Sequence, residues 1–169
     1  MSQNVYYNPA NLETGQGYAG ETGEVYGRDD RPRKFSVFDS PEMGVRALFR
    51  DLKTKTKRHD GDVLKMMAQF APAFENPTHN YTKHVINTLG GLTTIDKNNA
   101  EHLKLMAKAI IEFENDRDSN RTDMYLDPKV FDEGFNLSAI SFESDVKLAQ
   151  ARLIRNETDK FIAIAEEPL

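Results

Sequence analysis

Apolar residues recur at helical spacing through the middle of the chain. Val45, Leu48, Phe49 and Leu52 fall on one face of a helix that Ser40-Pro41-Glu42 is built to start. The serine can accept from free amides, the proline suits the first turn, and the acid sits at the positive end of the dipole. His59-Asp60-Gly61 ends that helix, and Asp62 caps a second with Val63, Met67 and Phe70 inward. The proline-braced loop 71–77 leads to a third helix, which Thr78 caps, Tyr81 and Val85 anchor, and Gly90-Gly91 stops. A fourth is predicted from about Asp96 to Phe113, with Leu103, Met106, Ala107, Ile110 and Phe113 in register. Before these helices only Phe35-Ser36-Val37-Phe38 reads as a strand. Residues 1–34, with closely spaced glycines, read as loop with a short hairpin.

After Asn115 the pattern breaks. Residues 117–136 look polar and irregular, with Pro128 and Gly134 as breakers. Residues 144–165 suit one more helix, although Phe161-Ile162-Ala163-Ile164-Ala165 would serve equally as a strand. Charge changes at the same place: 116–169 holds 12 acidic and 7 basic residues, which accounts for the whole net charge of −5. The expected organisation is therefore a mainly α domain with a minor β-hairpin over 1–115, then an acidic arm over 116–169 that packs on a partner.

Composition removes several function classes. There is no cysteine, so thiolate chemistry and disulfides are excluded. No stretch approaches the ~20 apolar residues of a membrane span, and the start has neither the basic nor the apolar region of a secretory signal. The glycines form no phosphate-binding loop, and no serine sits in a nucleophile elbow. His59, His79, His84 and His102 have no metal-ligand spacing, and neither metal nor cofactor is expected. The basic run Arg50, Lys53, Lys55, Lys57 and Arg58 reads as a solvated helix face, so nucleic acid is not the expected partner.

Carboxylates remain as candidate chemistry. Cleaving a glycan needs a proton donor for the leaving oxygen, commonly a glutamate in a partly apolar setting. Glu114 ends the most apolar helix, and Glu75 sits in the proline-braced loop. For both, the plain alternative is a capping or solvated side chain.

Several stretches together resemble a family of bacteriophage virion structural proteins. Asn8-Pro9-Ala10-Asn11-Leu12 is similar to its NPGNI, Gln16-Gly17 to its GQ, and 35–47 to FxxFxSPExGxRA. Phe70 to Tyr81 follows WAPPSENDTxxY, and Ala109 to Asn115 follows AIIxHENG, so the resemblance spans residues 8–115 in order. Phe70, Ala73, Pro77 and Asp116 depart from it, standing where the family has Trp, Pro, Asp and Gly. The resemblance implies a small lysozyme-like helical domain, related to glucosaminidases and transglycosylases. It implies a virion protein, structural or ejected, assembled in the host cytoplasm as an oligomer. The partners it implies are other virion proteins, met through 116–169, and peptidoglycan. A working muramidase or lytic transglycosylase is the alternative, with Glu114 as acid, Glu75 in reserve, and Asn8, Asn11 and Gln16 lining the cleft. Such enzymes place the acid before the NPGNI-like loop. Only seven residues precede Asn8 here, so Glu114 would serve only in a permuted arrangement.

Overall fold

The computed structural model describes residues 6–27, 33–70, 78–116 and 118–139. Its elements are β1 (Glu21–Tyr26), β2 (Lys34–Phe38), α1 (Pro41–Arg58), α2 (Val63–Phe70), α3 (Thr78–Thr88), α4 (Ala100–Glu114), α5 (Ser119–Leu126) and α6 (Pro128–Ser138). The fold is mainly α with one two-stranded antiparallel hairpin, as the sequence predicts. The hairpin pairs Glu21 with Phe38 and Tyr26 with Lys34, with an irregularity between Glu21 and Gly23.

Local chemistry sets the helix ends. Ser40 accepts from the Met43 amide with Pro41 in the first turn, and α1 closes on Lys55, Lys57 and Arg58, whose charges suit its negative end. The Asp62 side chain accepts from the Lys65 amide, starting α2. α4 starts later than the expected Asp96, because Asn99 is the residue whose side chain receives the His102 amide. Asp96 instead holds an Asx turn to the Asn98 amide.

α1 is the axis of the core. Val45, Leu48, Phe49 and Leu52 are fully buried, as are Val63, Met67, Tyr81, Val85, Met106, Ala107 and Ile110. Phe70 is only partly buried, packing at the margin of this cluster.

The expected arm needs correction over its first part. Residues 119–138 are not irregular: they form α5 and α6, and α6 lies along α1. Asp118 caps α5 by accepting from Arg121, and Asp127 caps α6 by accepting from Lys129. Pro128 starts a helix here and breaks none, since its missing N–H belongs to a turn whose amides are free anyway. Gly134 is a contact residue: a Cβ there would lie 2.6 Å from Val45 Cγ1, so its absence lets the two helices close. Phe49 lies edge-on to Phe131 and Phe135, with ring centroids 5.3 and 5.0 Å apart. Residues 140–169, the remainder of the expected arm, lie outside the described residues.

The basic run of α1 is also turned partly inward. Arg50 and Lys53 donate to the Ser138 carbonyl at the end of α6, each at 3.2 Å, and Arg46 Nε donates to Leu137 O at 3.2 Å. Burial, with Arg50 and Arg46 nearby, pushes the Lys53 ammonium below its usual value. Lys55 pairs with Asp51 on its own helix. Arg46, Arg50 and Lys53 hold the negative end of α6.

Candidate functional site

The segment 6–18 is an ordered loop laid over the start of α1 and the free edge of β2. Asn8 holds it together. Its Oδ1 accepts from the Leu12 amide, and its Nδ2 donates to the carbonyls of Leu12 and Ser36, all at 2.9 Å. The backbone adds Ser36 N to Leu12 O and Phe38 N to Tyr6 O, both at 2.9 Å. Asn11 then turns with φ +52°, a left-handed conformation that asparagine tolerates better than most residues. That turn aims its side chain across the molecule.

The target is Glu114. Asn11 Nδ2 donates to Glu114 Oε2 at 2.7 Å, joining positions 103 residues apart. Tyr81, wholly buried on α3, donates its hydroxyl to Glu114 Oε1 at 3.0 Å. The Tyr81 ring stacks on Phe113 at 4.0 Å and meets Phe70 edge-on at 6.3 Å. Asn115 completes the junction, its Nδ2 donating to Pro9 O at 2.9 Å and Ile111 O at 2.8 Å. The end of α4 is thus tied to both the loop and α3.

Of the predicted site residues, Asn11 and Glu114 are in direct contact. Asn8 belongs to the loop's internal bracing, with both ends of its amide engaged. Gln16 is exposed further along the same loop. Glu75 lies outside the described residues.

Sequence reasoning assigned Tyr81 to the core and gave Asn115 no role. The pairing of a buried aromatic with a polar tip was the available signal, because a buried tyrosine hydroxyl needs a partner. A second tether was missed as well: the Tyr18 hydroxyl meets Asp51 Oδ1 at 3.3 Å, pinning the far end of the loop to α1.

No family profile matches the chain. Among curated proteins, 109 residues align at 31% identity with Protein P5 of Pseudoalteromonas phage PM2, covering 64% of this chain and 67% of that protein. This chain belongs to the family of that protein. Membership in the P5 family fixes kinship and leaves the chemistry to be read from the residues. No helix among the described residues is long and apolar enough to cross a membrane.

Asn11 and Tyr81 each donate to Glu114, one to each carboxylate oxygen. The effect shows on Tyr81. Burial first, then the Glu114 charge and the hydrogen bond to it, push its hydroxyl well above the ordinary value. Burial also raises Tyr18, with Asp51 adding to it, and raises Tyr125.

The sign follows from linkage. A tyrosine whose folded value is raised keeps its proton while the unfolded chain gives its own up. Its stabilisation is therefore complete below about pH 10 and is lost as the pH climbs beyond, at up to ~1.4 kcal/mol per pH unit for each group. The protein is expected to unfold steeply in alkali, and Tyr81→Phe should make that dependence shallower. The same substitution should cost stability at neutral pH. The loss should sit toward the lower end of the ~1.5–3 kcal/mol of a hydrogen bond to a charged group, because Glu114 is only partly buried. Urea titrations at neutral and alkaline pH measure both effects.

Proposed function

We propose that this chain is a bacteriophage virion protein, structural or ejected, assembled into the particle in the host cytoplasm with other virion proteins as partners. The observation that carries this reading is its kinship with a protein of phage PM2 over 109 residues. The resemblance of residues 8–115 to virion structural proteins supports it independently of that match. The ordered fit of those motifs also supports a lysozyme-like ancestry for the helical scaffold, retained for assembly as an oligomer or for contact with peptidoglycan.

The junction at Glu114 favours the structural role over catalysis. A general acid has to hold a proton near neutral pH, which requires surroundings that disfavour its charge. Asn11 and Tyr81 each donate to the Glu114 carboxylate, which supports a role as an acceptor that locks the N-terminal loop to α3 and α4. Mass spectrometry of gradient-purified particles tests the role. The chain should co-sediment with the particles in constant ratio to their other proteins; recovery only from the soluble lysate would overturn it.

A second reading, an active muramidase or lytic transglycosylase, draws on one observation: the Glu114 carboxylate meets the loop bearing Asn8, Asn11 and Gln16, as that chemistry would require. Release of peptidoglycan fragments by the wild type, Glu114→Gln and Glu75→Gln separates the readings. The structural reading expects no release by any of the three. Release that Glu114→Gln alone abolishes would establish catalysis at Glu114, and loss in Glu75→Gln alone would transfer the acid to that loop.

A further inference from the structure

Residues 6–14 form a strap whose partners all lie far from it in sequence. Phe38 N and Ser36 N donate to its Tyr6 and Leu12 carbonyls at 2.9 Å, and its Thr14 N donates to Lys34 O at 3.0 Å, so it covers the outer edge of β2. Its Ala10 and Leu12 side chains are buried in the core. Gly44 makes room for its backbone, since a Cβ there would lie 1.7 Å from Tyr7 O. At the end of α4, Glu114 accepts from its Asn11, and Asn115 donates to its Pro9 carbonyl. β2, α1 and α4 thus make a socket fitted to this one segment. Left empty, the socket would present an unpaired strand edge and bare apolar surface to water, which is a site for another chain to pair.

The strap joins the rest of the protein through Gly15-Gln16-Gly17, all exposed. Both glycines have positive φ, +103° and +69°, and a Cβ at either would meet nothing within 4 Å. Left-handed turns fold this connector back, and packing does not hold it there. Just beyond it the chain is fixed again, with Ala19 buried and the Tyr18 hydroxyl 3.3 Å from Asp51. A fitted strap and a packed body therefore share one unpacked joint.

A strap supplied by another copy would make the same contacts, so closed and exchanged forms differ mainly in the connector and in concentration. Tethering sets an effective concentration on the order of millimolar, so a dilute chain closes on itself. We propose that segment 6–14 is an exchangeable arm, seated in its own socket in dilute solution and in the socket of a second copy where copies crowd together. Asn11 of one copy then meets Glu114 of the next. The crowding rests on the virion reading; the exchange itself does not.

The chain has no cysteine, and Glu13 of the strap lies 3.7 Å from Arg33 beside β2. Full-length Glu13→Cys and Arg33→Cys chains, equilibrated together and treated with a short bismaleimide, report exchange as a covalent heterodimer. It should form at millimolar concentration and fade on dilution. Leu92→Cys in place of Glu13→Cys, at an exposed position outside the strap, should give none. Adding Gly15→Ala and Gly17→Ala to both chains should lower the concentration needed by roughly tenfold for each, because the closed turns then cost an L side chain and an extended connector does not. The proposal is overturned by a mixture that stays unlinked at millimolar concentration, by equal linking through Leu92→Cys, or by glycine variants that leave the threshold unchanged or raise it. Purified chain suffices throughout, so the outcome is separate from sedimentation with particles.

Discussion

Gly44→Ala should be among the most damaging single substitutions in this protein, although alanine is the better helix former. In an open helix the exchange gains about 1 kcal/mol, because glycine has more backbone freedom to lose. Here the added Cβ would lie 1.7 Å from the Tyr7 carbonyl oxygen and 2.9 Å from Pro9 Cδ. The obstacle is backbone, so no rotamer change relieves it, and the loop must lift off α1. That movement would strain Phe38 N to Tyr6 O and Asn115 Nδ2 to Pro9 O, and would draw Asn11 away from Glu114. The net loss should reach or exceed the ~1–3 kcal/mol usual for overpacking. The melting temperature should fall by roughly 2–4 °C for each kcal/mol in a chain of this size. A melting temperature equal to or above wild type would show that the loop is not seated on α1.

The glycine also shows what the sequence could and could not convey. Gly44 is visible in the SPExGxRA resemblance, but only the fold explains it, because the atoms it makes room for come from residues 7 and 9. The four central helices were legible because their caps and their buried stripes are local: Ser40-Pro41, Asp62, and Leu103 to Ile110 at helical spacing. α6 escaped for a physical reason. Its buried positions are Val130, Gly134 and Ser138, while its large apolar residues Phe131 and Phe135 are only partly buried, and Pro128 and Gly134 read as breakers although one starts the helix and the other packs on Val45. The closeness of α1 and α6 depends on the missing Cβ of Gly134. At the site, Glu114 stood out as the polar end of an apolar helix and Asn11 as part of a recognisable loop, but the tie to Tyr81 crosses elements and has no sequence period. A buried tyrosine predicts that some acceptor exists without saying which.

Phe49→Ala tests whether residues 119–138 belong to the same cooperative unit as the central helices. Phe49 is fully buried on α1, and both aromatic rings of α6 lie edge-on to it. Truncation to alanine should cost ~3–5 kcal/mol through lost burial and the cavity left behind, and it includes ring pairs worth ~0.5–1.5 kcal/mol each. The more discriminating measurement is the cycle with Phe131→Ala. Residues in contact share their losses, so the double substitution should cost less than the sum of the singles by more than ~0.5 kcal/mol. Far-UV and proteolytic melts should remain coincident in the wild type, with cleavage between 119 and 138 appearing only as the core unfolds. In Phe49→Ala that cleavage should begin at lower temperature, because α6 loses its main apolar hold on α1 while Arg46, Arg50 and Lys53 still bind its last carbonyls. Strict additivity, together with early cleavage in the wild type, would mean that α5 and α6 are a detachable arm. The buried contact between Gly134 and Val45 would then be the first to open.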